Sequence, residues 1–201
     1  MKNRAFVLSV LLPILFSGCI MWDGGYTANV PVTPYGVTDA SRVPLTYQIT
    51  LKMMDPTWYG CPTVNDLQRR VEVALYRTGL FSEVKYGALT EGQAGYHIAF
   101  EFRQDGMNTD EVADMAAMSM ATLFLVPTFG VVSFDATATV SVQGKPHFAV
   151  GKAEEMQAMF WLPLLPAGFF VNEWTAWDAI EQGSVNALVN EIAERIKREL
   201  R

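Results

Sequence analysis

Few side chains in this sequence are equipped for chemistry: two cysteines, Cys19 and Cys61, and two histidines, His97 and His147. His97 follows Tyr96 in an alternating apolar run, and His147 follows the turn sequence "QGKP". Neither has a Ser, Cys or acid at a recognisable catalytic spacing, and no nucleophile elbow, P-loop or dinucleotide fingerprint occurs. Hydrolysis would therefore need a nucleophile brought to His97 or His147 from a distant part of the chain. Asp105, Asn108 and Asp110 invite a calcium reading, but their spacing is not that of an EF-hand loop. Met115, Met118 and Met120 offer soft thioether sulfur suited to Cu(I). Helical spacing turns Met120 away from the other two, and methionine as core filler is the simpler account. The expectation is no catalytic residue, no cofactor and no metal.

Cys19 is different, because of what precedes it. Met1-Lys2-Asn3-Arg4 places two positive charges before an uncharged run from Ala5 to Ser17. That is the layout of a secretory signal. The run is shorter than the roughly 20 apolar residues a transmembrane helix needs, and Pro13 interrupts it. Its end, Leu15-Phe16-Ser17-Gly18-Cys19, resembles a bacterial lipobox, with Phe16 where Leu is more usual. The resemblance implies that the cysteine thiol receives a diacylglycerol, that residues 1–18 are removed and that the new amino terminus is acylated. Ile20 stands where an Asp would retain an enteric lipoprotein in the inner membrane, so the resemblance implies the outer membrane. With Cys19 acylated, Cys61 has no partner for an internal disulfide.

Removing residues 1–18 takes away two of the 15 basic side chains and none of the 21 acidic ones, shifting the formal charge from −6 to −8. An acidic chain is a poor ligand for nucleic acid or for anionic lipid surfaces. Attachment would have to come from acyl chains, at about 0.8 kcal/mol per buried methylene.

Residues 19–44 carry Gly24-Gly25, Pro31, Pro34, Gly36 and Pro44 with neither a helical nor a strand period. They read as a flexible tether, leaving 45–201 as a single domain. "LTYQITLKM" alternates Tyr47, Ile49, Leu51 and Met53 against Gln48, Thr50 and Lys52, the pattern of a half-buried strand. "TVNDLQRRVEVALYRTG" predicts a helix over 63–79: Thr63 as cap, Asp66 in the first turn, Leu67, Val71, Ala74 and Leu75 as its stripe, Gly79 as its stop. "LFSEVKY" and "YHIAFEF" follow as strands. A second helix over 109–121 is predicted behind the Asn108/Glu111 capping spacing. "SFDATATVSV" and residues 147–157 form a hairpin about "QGKP". A last helix spans 175–200, with Trp177, Ile180, Leu188, Ile192 and Ile196 inward and basic residues at its end. The expected fold is α+β, a two-layer sandwich of a mainly antiparallel sheet with these helices on it. The run "VALYRTGLFSEVKY" is similar to the helix-to-strand passage in small α+β domains of envelope proteins, such as the amino-terminal domain of the Tol-system propeller protein and transport-accessory lipoproteins.

Two segments bracket the hairpin without a single charge: 115–134, "MAAMSMATLFLVPTFGVVSF", and 156–172, "MQAMFWLPLLPAGFFVN". If the hairpin turns at Gly144, both lie at its open end. Three readings stay open: core, a contact surface around Phe124, Leu125, Phe160, Trp161 and Leu164, or a pair of transmembrane segments. The function expected is that of a non-catalytic lipoprotein of the outer membrane, facing the periplasm. It would serve as an assembly or transport accessory, working with an envelope partner or further copies of itself. A lipid or small-molecule carrier is the alternative, and an enclosed apolar cavity would favour it.

Overall fold

The computed structural model describes residues 19–23, 30–36, 42–53, 63–88, 95–105, 113–114, 117–118, 121–122, 126, 128–160 and 173–200. Among the described residues the following elements succeed one another: β1 (Cys19–Asp23), β2 (Val43–Met53), α1 (Val64–Arg77), β3 (Phe81–Tyr86), β4 (Tyr96–Asp105), β5 (Thr128–Val142), β6 (Lys145–Phe160) and α2 (Glu173–Glu199). The strands make one sheet in the order β1-β6-β5-β4-β2-β3. β2 runs parallel to both its neighbours, and the other three pairings are antiparallel. The fold is thus α+β, as expected; the sheet, expected to be mainly antiparallel, is mixed, with three of its five pairings antiparallel.

Local chemistry explains the boundaries. Thr63 caps α1: its hydroxyl oxygen accepts from the Asp66 amide at 3.2 Å, while the Asp66 carboxylate accepts from the Thr63 amide at 3.2 Å. The same carboxylate takes the Thr63 hydroxyl proton at 2.7 Å, and these bonds hold Asp66 below the usual carboxylate range. α1 stops where Gly79 takes φ +69°, a left-handed conformation costly for a residue with a Cβ. Between β5 and β6, Gln143 and Gly144 have φ 50° and 79°, which is the primed turn that matches strand twist.

One face of the sheet carries the core. Leu45, Tyr47, Ile49, Ile98, Phe100, Phe102, Phe134, Ala136, Ala138 and Val140 are buried beneath the helices. Phe100, Phe102 and Phe134 stack at 6.1 and 5.8 Å between ring centres, close enough for aromatic attraction beyond simple burial. Ile180, Leu188, Ile192 and Ile196 of α2 are buried as the stripe predicts, joined by Val185, Val189 and Ala193. The side chain of Trp177 lies outside the described residues.

The stretch expected as a free tether needs correction. Its first residues are β1, hydrogen-bonded along β6, and residues 30–36 form a strap across the helices. Asn186 donates to the Val30 carbonyl at 2.9 Å, and Asn190 donates to Pro31 at 2.8 Å while accepting from the Thr33 amide at 2.7 Å. The Tyr35 amide donates to Thr78 at 2.8 Å. A Pro-rich segment without period still docks when side-chain amides satisfy its backbone groups. The helix predicted over 109–121 is met in part: residues 113, 114, 117, 118 and 121 are helical, and its Asn108 cap lies outside the described residues.

Candidate functional site

Both charge-free segments run into the sheet. The strand predicted from 133 begins at Thr128, and the returning strand continues to Phe160. Strand backbone at 128–134 and 156–160 rules out a helical membrane span over the whole of either segment. Among the described residues no helix is long and apolar enough to cross a membrane. The core reading holds for Val132 and Phe134, which are buried, but Val131, just before them, is 52% exposed. Of the residues expected to form a contact surface, Phe124, Leu125, Trp161 and Leu164 lie outside the described residues, as does the side chain of Phe160.

The register brings together what the sequence holds apart. Cys19 pairs with Phe160, and Phe160 in turn with Thr128. Ile20, Met159 and Phe129 make the second row across the three strands. Met21, Ala158 and Gly130 make the third, and Trp22, Gln157 and Val131 the fourth. The cysteine of the lipobox-like sequence and both apolar segments therefore share one end of the sheet. Sequence reasoning placed the two segments together through the hairpin, but had no signal for β1.

The groups that could do acid–base chemistry are elsewhere and differently engaged. His97 is buried in β4, in register with Thr46 of β2 and Ser141 of β5. Its Nδ1 is 2.9 Å from the Thr46 hydroxyl, its Nε2 is buried without a hydrogen-bond partner, and burial lowers its pKa. A general base needs one ring nitrogen on a nucleophile and the other on an orienting group. Here Thr46 takes one nitrogen and, among the described residues, no hydroxyl or thiol takes the other. His147 is exposed and sits 2.6 Å from Glu199, whose carboxylate also accepts from the Tyr96 hydroxyl at 3.3 Å. This cluster ties the start of β6 to the end of α2.

Among the described residues, the most perturbed carboxyl group is one that periodicity does not reveal. Glu181 on α2 is only 3% exposed, and burial raises its pKa to about 7, against the opposing pull of the Arg70 guanidinium. Arg70 of α1 lies 3.6 Å from it and pairs with Asp178 and Gln182. Gln182 donates to Asn186 at 2.8 Å, and Asn186 holds the strap at Val30. The cluster is a helix–helix–strap clasp. No group of three or more His, Cys, Asp or Glu with metal-site geometry occurs among the described residues.

A carrier needs an enclosed apolar cavity. The groove between the strap, α2 and β6, about 520 Å³ in volume, is open and lined by Lys152, Glu191, Glu194, Arg195 and Arg198. Lys152 and Arg195 both pair with Glu191, at 3.3 and 2.8 Å. Its walls are self-neutralised charge rather than hydrocarbon, the wrong lining for a lipid tail.

No family model matches the chain, and no curated protein matches it. Solved structures to which the chain is similar include a Xanthomonas campestris protein of family DUF330, 11% identical, covering 84% of this chain and 91% of that one at a TM-score of 0.44. A PelC dodecamer from Paraburkholderia phytofirmans is 6% identical over 87% and 98% of the two chains, with a TM-score of 0.38. A minor lipoprotein from Acinetobacter baumannii is 13% identical over 76% and 89%, with a TM-score of 0.28.

Proposed function

We propose that this chain is a lipid-anchored accessory protein of the bacterial envelope, held in the outer membrane through acyl chains on Cys19 and facing the periplasm. It works by binding, to an envelope partner or to further copies of itself, and not by catalysis. The observation that carries the reading is the sequence from Lys2 to Cys19: two cations, an uncharged run, then Ser17-Gly18-Cys19. Ile20, in place of an aspartate, favours the outer membrane. The engagement of His97 with Thr46 and of His147 with Glu199 favours a binding role over a hydrolytic one.

Intact mass and membrane fractionation of the native protein beside a Cys19→Ala variant test this reading. Acyl mass on the native form, with its flotation in the outer-membrane fraction and loss of both in the variant, is the expected result. A variant that fractionates like the native protein would show that Cys19 is not the anchor.

A further inference from the structure

We infer that the open end of the β1–β6–β5 corner is seated in the interfacial layer of the lipid bilayer, so that the sheet stands on the membrane rather than floating above it. This rests on the anchor reading of Cys19.

Cys19 is the first residue of β1, and its α-carbon is already in register with Phe160. No spacer separates the acylated residue from the sheet. Adjacent strands lie about 4.8 Å apart, which puts the Thr128 backbone, two strands away, within roughly 10 Å of the anchor. Acyl chains drawn into a bilayer from Cys19 must bring this corner to the lipid surface with them.

The composition of the corner suits that position. Its first four rows, from Cys19–Phe160–Thr128 to Trp22–Gln157–Val131, hold twelve residues and no charge. Charge begins at the fifth row with Asp23, opposite Met156, and continues with Glu155 opposite Ser133. Four rows at about 3.4 Å each span 10–14 Å, comparable with the roughly 5–10 Å to which interfacial elements sink. Trp22 stands in the last uncharged row, and tryptophan is the residue favoured at the headgroup level. Val131, in the same row, is half exposed on a strand whose neighbours Val132 and Phe134 are buried. A large aliphatic left uncovered there is accounted for if lipid covers it.

The test places an environment-sensitive NBD fluorophore on Val131→Cys, with Thr139→Cys on the same strand as the control, both in a Cys61→Ser background. The lipidated protein is reconstituted into vesicles of phosphatidylethanolamine and phosphatidylglycerol. NBD emission at position 131 is expected to rise several-fold on reconstitution and to be quenched by lipids brominated near the glycerol end of the chain, while position 139 changes in neither respect. Co-flotation with the vesicles, but equal and water-like emission at both positions, would leave the anchor intact and overturn the seating. Bright emission at 131 in unlipidated Cys19→Ser protein without vesicles, with copies cross-linking through that position, would assign the face to a second copy and also overturn it. Failure of the lipidated protein to float would overturn the anchor reading itself, and the seating with it. Should Cys61→Ser fail to fold, hydroxyl-radical footprinting of the native lipidated protein puts the same question. Oxidation of Val131 is expected to fall several-fold on reconstitution into the vesicles, and unchanged oxidation overturns the proposal.

Discussion

The two ends of the β5–β6 hairpin are built from opposite materials. At the turn, Gln143 and Gly144 reverse the chain, Lys145 follows them, and His147 pairs with Glu199. Arg195 lies 5.3 Å over the Phe148 ring, so the charged last turns of α2 are fastened to the start of β6. At the other end, 16 residues of β6 and roughly 50 Å away, three strands finish in rows without charge. The turn end is held by directional contacts between side chains. The open end is defined by composition and by which strands the register brings together. A sheet with one charged pole and one apolar pole has a direction, and that direction is what a surface-bound protein needs.

Substitutions can separate the two kinds of end. The largest effect is expected from Glu181→Gln, in the clasp on the half of α2 away from the turn. Glu181 titrates near 7 in the fold against 4.5 for the unperturbed group. The folded state therefore keeps a proton that the unfolded chain loses. Its contribution to stability is fully present below about pH 4.5 and is lost as pH rises through 7, a difference of roughly 3 kcal/mol. The glutamine variant should match the wild type in chemical denaturation at pH 4.5 and exceed it by about that amount at pH 8. Equal stability at both pH values would mean the carboxylate is better solvated than its burial implies.

Gly95→Ala comes next, at the turn end where β4 begins. A Cβ there would lie 2.7 Å from the Pro44 carbonyl oxygen, on a backbone with φ +108°. About 2 kcal/mol of destabilisation is expected, visible as a lowered denaturation midpoint with an unchanged slope. Gly144→Ala should cost less, about 1 kcal/mol, because only its φ of 79° is strained and open space surrounds the added methyl. Val131→Ser, at the open end, should change the stability of the lipid-free domain by no more than about 0.5 kcal/mol. A large loss there would make Val131 a packing residue and erase the contrast between the ends.

Much of this architecture is readable from short windows of sequence. Thr63 and Asp66 announce the start of α1, Gly79 its end, and the period of two in "LTYQITLKM" and "SFDATATVSV" fixes the buried faces of β2 and β5. Each signal is local, written within a few residues by a cap, a turn conformation or an alternation. The strap is not readable in this way. Nothing in residues 30–36 shows that Asn186 and Asn190, more than 150 positions away, will satisfy their backbone. Nor does α2 announce that Glu181 is buried, because its partner Arg70 sits on another helix.

The sequence by itself determined the types of β2 to β6, α1 and α2, the hairpin about Gly144, and the charge-free segments that flank it, because periodicity and turn chemistry act over a few residues. It also determined the resemblance of residues 15–19 to a lipid-attachment signal. Only the tertiary structure decided that β2 lies between β3 and β4, that β1 closes the far edge against β6, and that Cys19, Phe160 and Thr128 stand in one row. Pairing between distant strands depends on which edge remains open once the rest of the sheet has formed. That is a property of the assembled sheet and of no segment alone.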